Sequence, residues 1–77
     1  MHDLILYEKT NCPYCLKVLK FAGEHGIEFE LRNIAVAGVA EELIARGGKR
    51  QVPYLVDIHN AVEMYESEDI IDYLRNR

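Results

Sequence analysis

The chain has 77 residues, a formal net charge of −4, and 49% hydrophobic and 29% charged residues, which allows one small soluble domain with a modest core. An acidic balance argues against non-specific nucleic-acid binding, and no apolar run approaches the roughly 18 residues of a membrane span. The opening MHDLILYEKT lacks the basic flank and long apolar run of a signal peptide, so a cytoplasmic protein with neither membrane nor nucleic-acid partner is expected.

In chain order, DLILY (3–7) is a short apolar run before the turn-like KTN, which predicts a buried strand. Pro13 suits the first position of a helix, where its fixed φ fits and its missing N–H is not needed. Leu16, Val18, Leu19, Phe21 and Ala22 recur at helical spacing, and Gly26 after His25 stops the pattern, giving a helix over 13–25. IEFELRNI then alternates at period two, with Ile27, Phe29 and Leu31 facing inward, which predicts a half-buried strand. A second helix over 38–46 presents Val39, Ala40, Leu43 and Ile44 and ends at Gly47-Gly48. YLVDI (54–58) and AVEMY (61–65) read as strands joined by His59-Asn60, a two-residue hairpin loop. Ser67 is placed as the N-cap of a last helix that carries Ile70, Ile71 and Leu74 inward. The order β-α-β-α-β-β-α makes the first two strands parallel and the last two antiparallel, in a four-stranded mixed sheet with three helices. No linker or repeat points to a second domain.

Both cysteines lie in NCPYCLKV (11–18). A structural zinc site needs four ligands, and His2, His25 and His59 show no paired spacing, so no metal is expected. A purely structural disulfide across so short a loop removes little unfolded-chain entropy. Redox chemistry has a direct physical basis. Cys12 falls at the helix N-cap, where the N–H groups of Tyr14 and Cys15 and the helix dipole favour a thiolate, lowering thiol pKa values in such motifs to about 3.5–7.5. Cys15 lies one turn on, within reach of a disulfide. Cys12 is the expected attacking thiolate and Cys15 the resolving thiol. Lys9, Lys17 and Lys20 flank the pair, and Arg46, Lys49 and Arg50 form a second basic cluster; together they suit a small anionic ligand, or are simply solvated surface charges.

Three stretches, KTNCPYC (9–15), RQVPYLVD (50–57) and MYESEDIIDYL (64–74), make the chain resemble a glutaredoxin, the glutathione-linked branch of the thioredoxin-like fold. The resemblance implies reduction of protein–glutathione mixed disulfides and protein disulfides, with glutathione as co-substrate and no prosthetic group. It matches Lys9 to a lysine that supports the thiolate and meets the glycyl carboxylate, and Tyr14 to a tyrosine bordering the glutathione cleft. Arg50 and Gln51 fall where the family meets the glycyl carboxylate, and Val52-Pro53 where it has a cis-proline whose preceding backbone pairs with an extended peptide. Ser67 matches the residue that receives the γ-glutamyl carboxylate. MYESEDI is closer to the Glu-Ser element of transferase N-terminal domains than to the usual glutaredoxin stretch, and leaves Glu66, Glu68 and Asp69 as candidates for the γ-glutamyl ammonium. A monomer is expected. Rival readings are a cluster-bridged dimer, a thioredoxin-like partner of a flavin reductase, and a transferase, for which a chain ending at Arg77 lacks the second domain.

Overall fold

The computed structural model describes residues 3–77. Seven elements follow one another: β1 (Leu4–Glu8), α1 (Pro13–Glu24), β2 (Glu30–Asn33), α2 (Val39–Gly47), β3 (Tyr54–Asp57), β4 (Val62–Tyr65) and α3 (Ser67–Asn76). The strands lie side by side as β2-β1-β3-β4. β1 and β2 are parallel, and β3 runs antiparallel to both β1 and β4.

Alternation along β1 explains the layers. Leu4 and Leu6 point to one face of the sheet and Ile5 and Tyr7 to the other, as strand geometry requires. The first pair packs with Leu55 of β3, Val18 of α1 and Ile70, Ile71 and Leu74 of α3. The second packs with Tyr54 and Val56 of β3 and Val39 and Leu43 of α2. A strand covered on both faces reads as an unbroken apolar run, which is why no charged residue alternates with the apolar ones in LILY. Leu6, Leu55 and Ile70 are wholly buried, each contributing about 1.5–3 kcal/mol. None of the described residues forms a helix long and apolar enough to cross a membrane.

Several boundaries and faces depart from expectation. α1 ends at Glu24 because Gly26 takes a left-handed φ of 66°, letting the Ile27 N–H reach back to the Ala22 carbonyl at 2.9 Å. The strand expected from Ile27 pairs only from Glu30, opposite Ile5. Ile27 and Phe29 still pack against the core from outside the ladder. Leu31 stands beside Leu6, but on an outer strand, and is 51% exposed. Leu16 is 55% exposed because Cys15, Val18 and Ala22 form the buried line of α1, and Leu16 lies about 100° round from Cys15. Ile44 is likewise open on α2.

The hairpin also differs. Asp57 pairs with Val62, so the loop holds four residues, from Ile58 to Ala61, rather than two. The Asp57 carboxylate sets that length by accepting the Asn60 N–H at 3.3 Å and its Nδ2 at 2.8 Å. Ala61 then takes a φ of 56° to re-enter the sheet.

Candidate active site

The turn after β1 presents the two thiols. Asn11 takes a left-handed φ of 63°, the Cys12 N–H donates to the Lys9 carbonyl at 3.3 Å, and Pro13 starts α1. Cys12 is the N-cap: its Sγ accepts the backbone N–H of Cys15 at 3.3 Å. The expected second donor, Tyr14 N–H, makes no such bond. Cys12 is half-buried, Cys15 is fully buried, and both are free thiols. Burial pushes the Cys15 thiol up to about 12, and its hydrogen bond with Cys12 adds to the rise. The two sulfurs are therefore unequal, with Cys15 keeping its proton at neutral pH behind an accessible Cys12.

Beside this helix start lies a cleft of about 660 Å³, within the range of small-ligand sites. Tyr14, Gln51, Val52, Pro53, Glu66 and Ser67 line it, so three distant segments of sequence converge there. Tyr14 is 65% exposed and forms an aromatic wall. Val52-Pro53 is a cis peptide. Lys9 and Arg50 are exposed and lie outside the lining. Lys17 and Glu68 join the lining instead, as an ion pair from α1 to α3 across one lip. In the sequence Lys17 stands out only as a charge flanking the cysteines.

Ser67 is buried, but it does not cap α3. Glu66, with φ 73°, occupies the cap position, makes no side-chain cap bond, and accepts the Ile70 N–H through its carbonyl at 2.9 Å. The first turn of α3 thus keeps N–H groups that no cap side chain occupies. Such a turn favours an anion. From α1 the lining takes Tyr14 and Lys17 but neither cysteine, so the thiols stand beside the cleft rather than in its wall. Of the three nearby acids, Glu66 is held by the Gln51 amide at 2.8 Å and Glu68 by Lys17. Asp69 lies outside the cleft. Both lining carboxylates have donors, which moderates their repulsion of an incoming anion.

Residues 6–77 match the family model described as the N-terminal domain of glutathione S-transferase. Glutaredoxin 3 of Escherichia coli strain K12 is 34% identical over 56 residues, covering 71% of this chain and 68% of the relative. Glutaredoxin 1 of Rickettsia felis is 30% identical over 64 residues, covering 77% of this chain. The chain spans only 63% of that second relative's length. The crystal structure of a glutaredoxin from Archaeoglobus fulgidus superposes with a TM-score of 0.77 at 24% identity, over 97% of this chain and 88% of that one, and shares its fold.

Proposed function

Because the chain belongs to the glutaredoxin family, on the thioredoxin-like fold, we propose that it is a glutathione-disulfide oxidoreductase acting on protein–glutathione mixed disulfides and protein disulfides. The observation that carries the reading is the unequal pair at the start of α1, with Cys12 at the cap and Cys15 buried beneath it, next to a cleft lined by Tyr14 of α1 and by Ser67 at the start of α3.

The Cys12 thiolate attacks the glutathione sulfur of a mixed disulfide. The new bond joins Cys12 to glutathione, the old S–S bond breaks, and the protein thiolate leaves and takes a proton. A second glutathione thiolate then attacks the bound glutathione sulfur, releasing glutathione disulfide and restoring Cys12. On protein disulfides Cys12 forms the mixed disulfide with the target. Cys15 then loses its proton, attacks Cys12 Sγ and expels the target thiolate, and two glutathiones reduce the resulting Cys12–Cys15 disulfide.

The γ-glutamyl carboxylate sits at the first turn of α3, on the N–H and hydroxyl of Ser67, with Glu66 facing the ammonium. Tyr14 borders the thiol end, and the Val52 backbone beside Pro53 pairs with the extended tripeptide. Gln51 turns its remaining amide groups to the glycyl end. Lys9 and Arg50 contribute positive charge from outside the cleft. No prosthetic group takes part, and the protein works as a cytoplasmic monomer.

The test is reduction of a glutathionylated substrate coupled to glutathione reductase. Native protein and Cys15→Ser should turn over and Cys12→Ser should not. Disulfide reduction fed only by thioredoxin reductase, with no glutathione-dependent turnover, overturns the glutathione assignment.

A further inference from the structure

The cleft is assembled from the segment carrying Gln51 to Pro53 and from the start of α3, and one side chain joins them. Tyr65, the last residue of β4, is followed directly by Glu66 and Ser67. Its hydroxyl donates to the Lys49 carbonyl at 2.8 Å and accepts the Lys49 N–H at 3.1 Å. Two bonds to one residue fix that backbone in both position and orientation, two residues before Gln51. The Tyr65 ring lies 4.3 Å from the ring of Tyr54, which is its partner across the β3–β4 ladder and the residue after Pro53. The Lys49 ammonium stands 5.0 Å over the same ring.

The seat for this hydroxyl is built into the end of α2. A Cβ added to Gly47 would lie 2.2 Å from Tyr65 Oη and 2.7 Å from Cζ, so only a residue without a side chain leaves the ring in place. Tyr65 thus touches the loop before Gln51 by its hydroxyl, the strand after Pro53 by its ring, and the start of α3 by its own backbone. The Gln51–Glu66 bond at 2.8 Å closes the same gap nearer the cleft.

We propose that Tyr65 is a positioning residue for glutathione, setting the distance between the glycyl-end and γ-glutamyl-end walls of the cleft. It touches neither thiol nor ligand. The proposal rests on the glutathione reading above, and makes Tyr65 act on recognition of the tripeptide rather than on the chemistry of Cys12.

The readout compares two disulfides in a Cys15→Ser background. In both reactions the Cys12 thiolate attacks one sulfur, forms a mixed disulfide and expels the other half as a thiolate. Glutathione disulfide uses the whole cleft, whereas bis(2-hydroxyethyl) disulfide has neither carboxylate nor ammonium to place. Stopped-flow rates should show that Tyr65→Phe slows the reaction with glutathione disulfide about threefold to tenfold, the factor that one or two neutral hydrogen bonds correspond to. The rate with the hydroxyethyl disulfide should stay within about twofold of the parent. Gly47→Ala, which displaces the hydroxyl while keeping the tyrosine, should give the same selective loss. A parent protein with no preference for glutathione disulfide sinks the glutathione reading itself. A parent with that preference, and a Tyr65→Phe variant that retains it in full or loses both rates together, overturns the positioning role alone.

Discussion

Asp57→Asn tests whether a buried carboxylate holds the hairpin and α3 to the end of the sheet. Asp57 is wholly buried. It accepts the Tyr73 hydroxyl at 2.6 Å, Asn60 Nδ2 at 2.8 Å, the Asn60 N–H at 3.3 Å and Arg77 Nη1 at 3.4 Å. Burial by itself raises the carboxyl pKa, but the bonds from Tyr73 and Asn60, with Arg77 nearby, outweigh it and hold the group below the usual carboxylate range. An amide keeps the shape but has one acceptor oxygen, so at least one of these donors loses its partner. Hydrogen bonds to charged groups are each worth about 1.5–3 kcal/mol net, and they do not add fully. A loss of about 3 kcal/mol is therefore expected at pH 7, against a total stability of about 4–12 kcal/mol for a chain of this length. With a urea slope of about 1 kcal/mol per M the midpoint falls by about 3 M. The pH dependence follows from the sign of the shift. The unfolded carboxyl binds its proton at higher pH than the folded one, so the stabilisation is present above about pH 4 and is lost as pH falls through the lower, folded value. The gap between native and Asp57→Asn midpoints should therefore narrow on acidification. A gap that stays constant from pH 7 to pH 3, or a variant within about 0.5 kcal/mol of native at pH 7, refutes the reasoning.

Iodoacetamide at neutral pH should add once to the folded protein, at Cys12, since Cys15 is buried and its thiol is pushed up to about 12. Mass spectrometry should find the second adduct only after urea, and two adducts on folded protein contradict the assignment. Ser67→Ala should melt close to native, within about 0.5 kcal/mol rather than the roughly 1 kcal/mol of a lost cap, because its side chain caps nothing. The same variant should lose glutathione-dependent turnover; a large stability loss would restore Ser67 to a capping role.

The order of elements was legible because each carried its own periodicity. The four apolar residues of β1, Pro13 at the start of α1 and Gly26 after it are local signals with local outcomes. Cys12 at a helix cap was readable for the same reason. Part of what escaped depends on neighbours distant in sequence, and part on local side-chain and backbone choices that periodicity does not carry. Leu16 and Leu31 have the hydrophobicity of core residues but sit where no neighbour covers them fully. The hairpin length rests on how Asp57 uses its carboxylate, which two-residue loop rules do not include. Ser67 looked like a cap, yet the left-handed turn at Glu66 moved the cap back by one residue. The cross-cleft pairs Lys17–Glu68 and Gln51–Glu66 join residues far apart in the chain, and nothing in either local stretch announces them.

The sheet is the shared wall of two cores, and this divides the molecule by how it can open. β1 and β3 are each clamped from both faces, so their amides are freed only when both cores come apart, which is global unfolding. The lip of the cleft between α1 and α3 is held by a single exposed ion pair, Lys17–Glu68, whereas the Tyr65–Lys49 bonds fix the opposite wall. A lip held by one exposed ion pair yields in local openings far below the global free energy. The strands beneath the helix start that carries Cys12 and Cys15 therefore stay paired while that one lip opens.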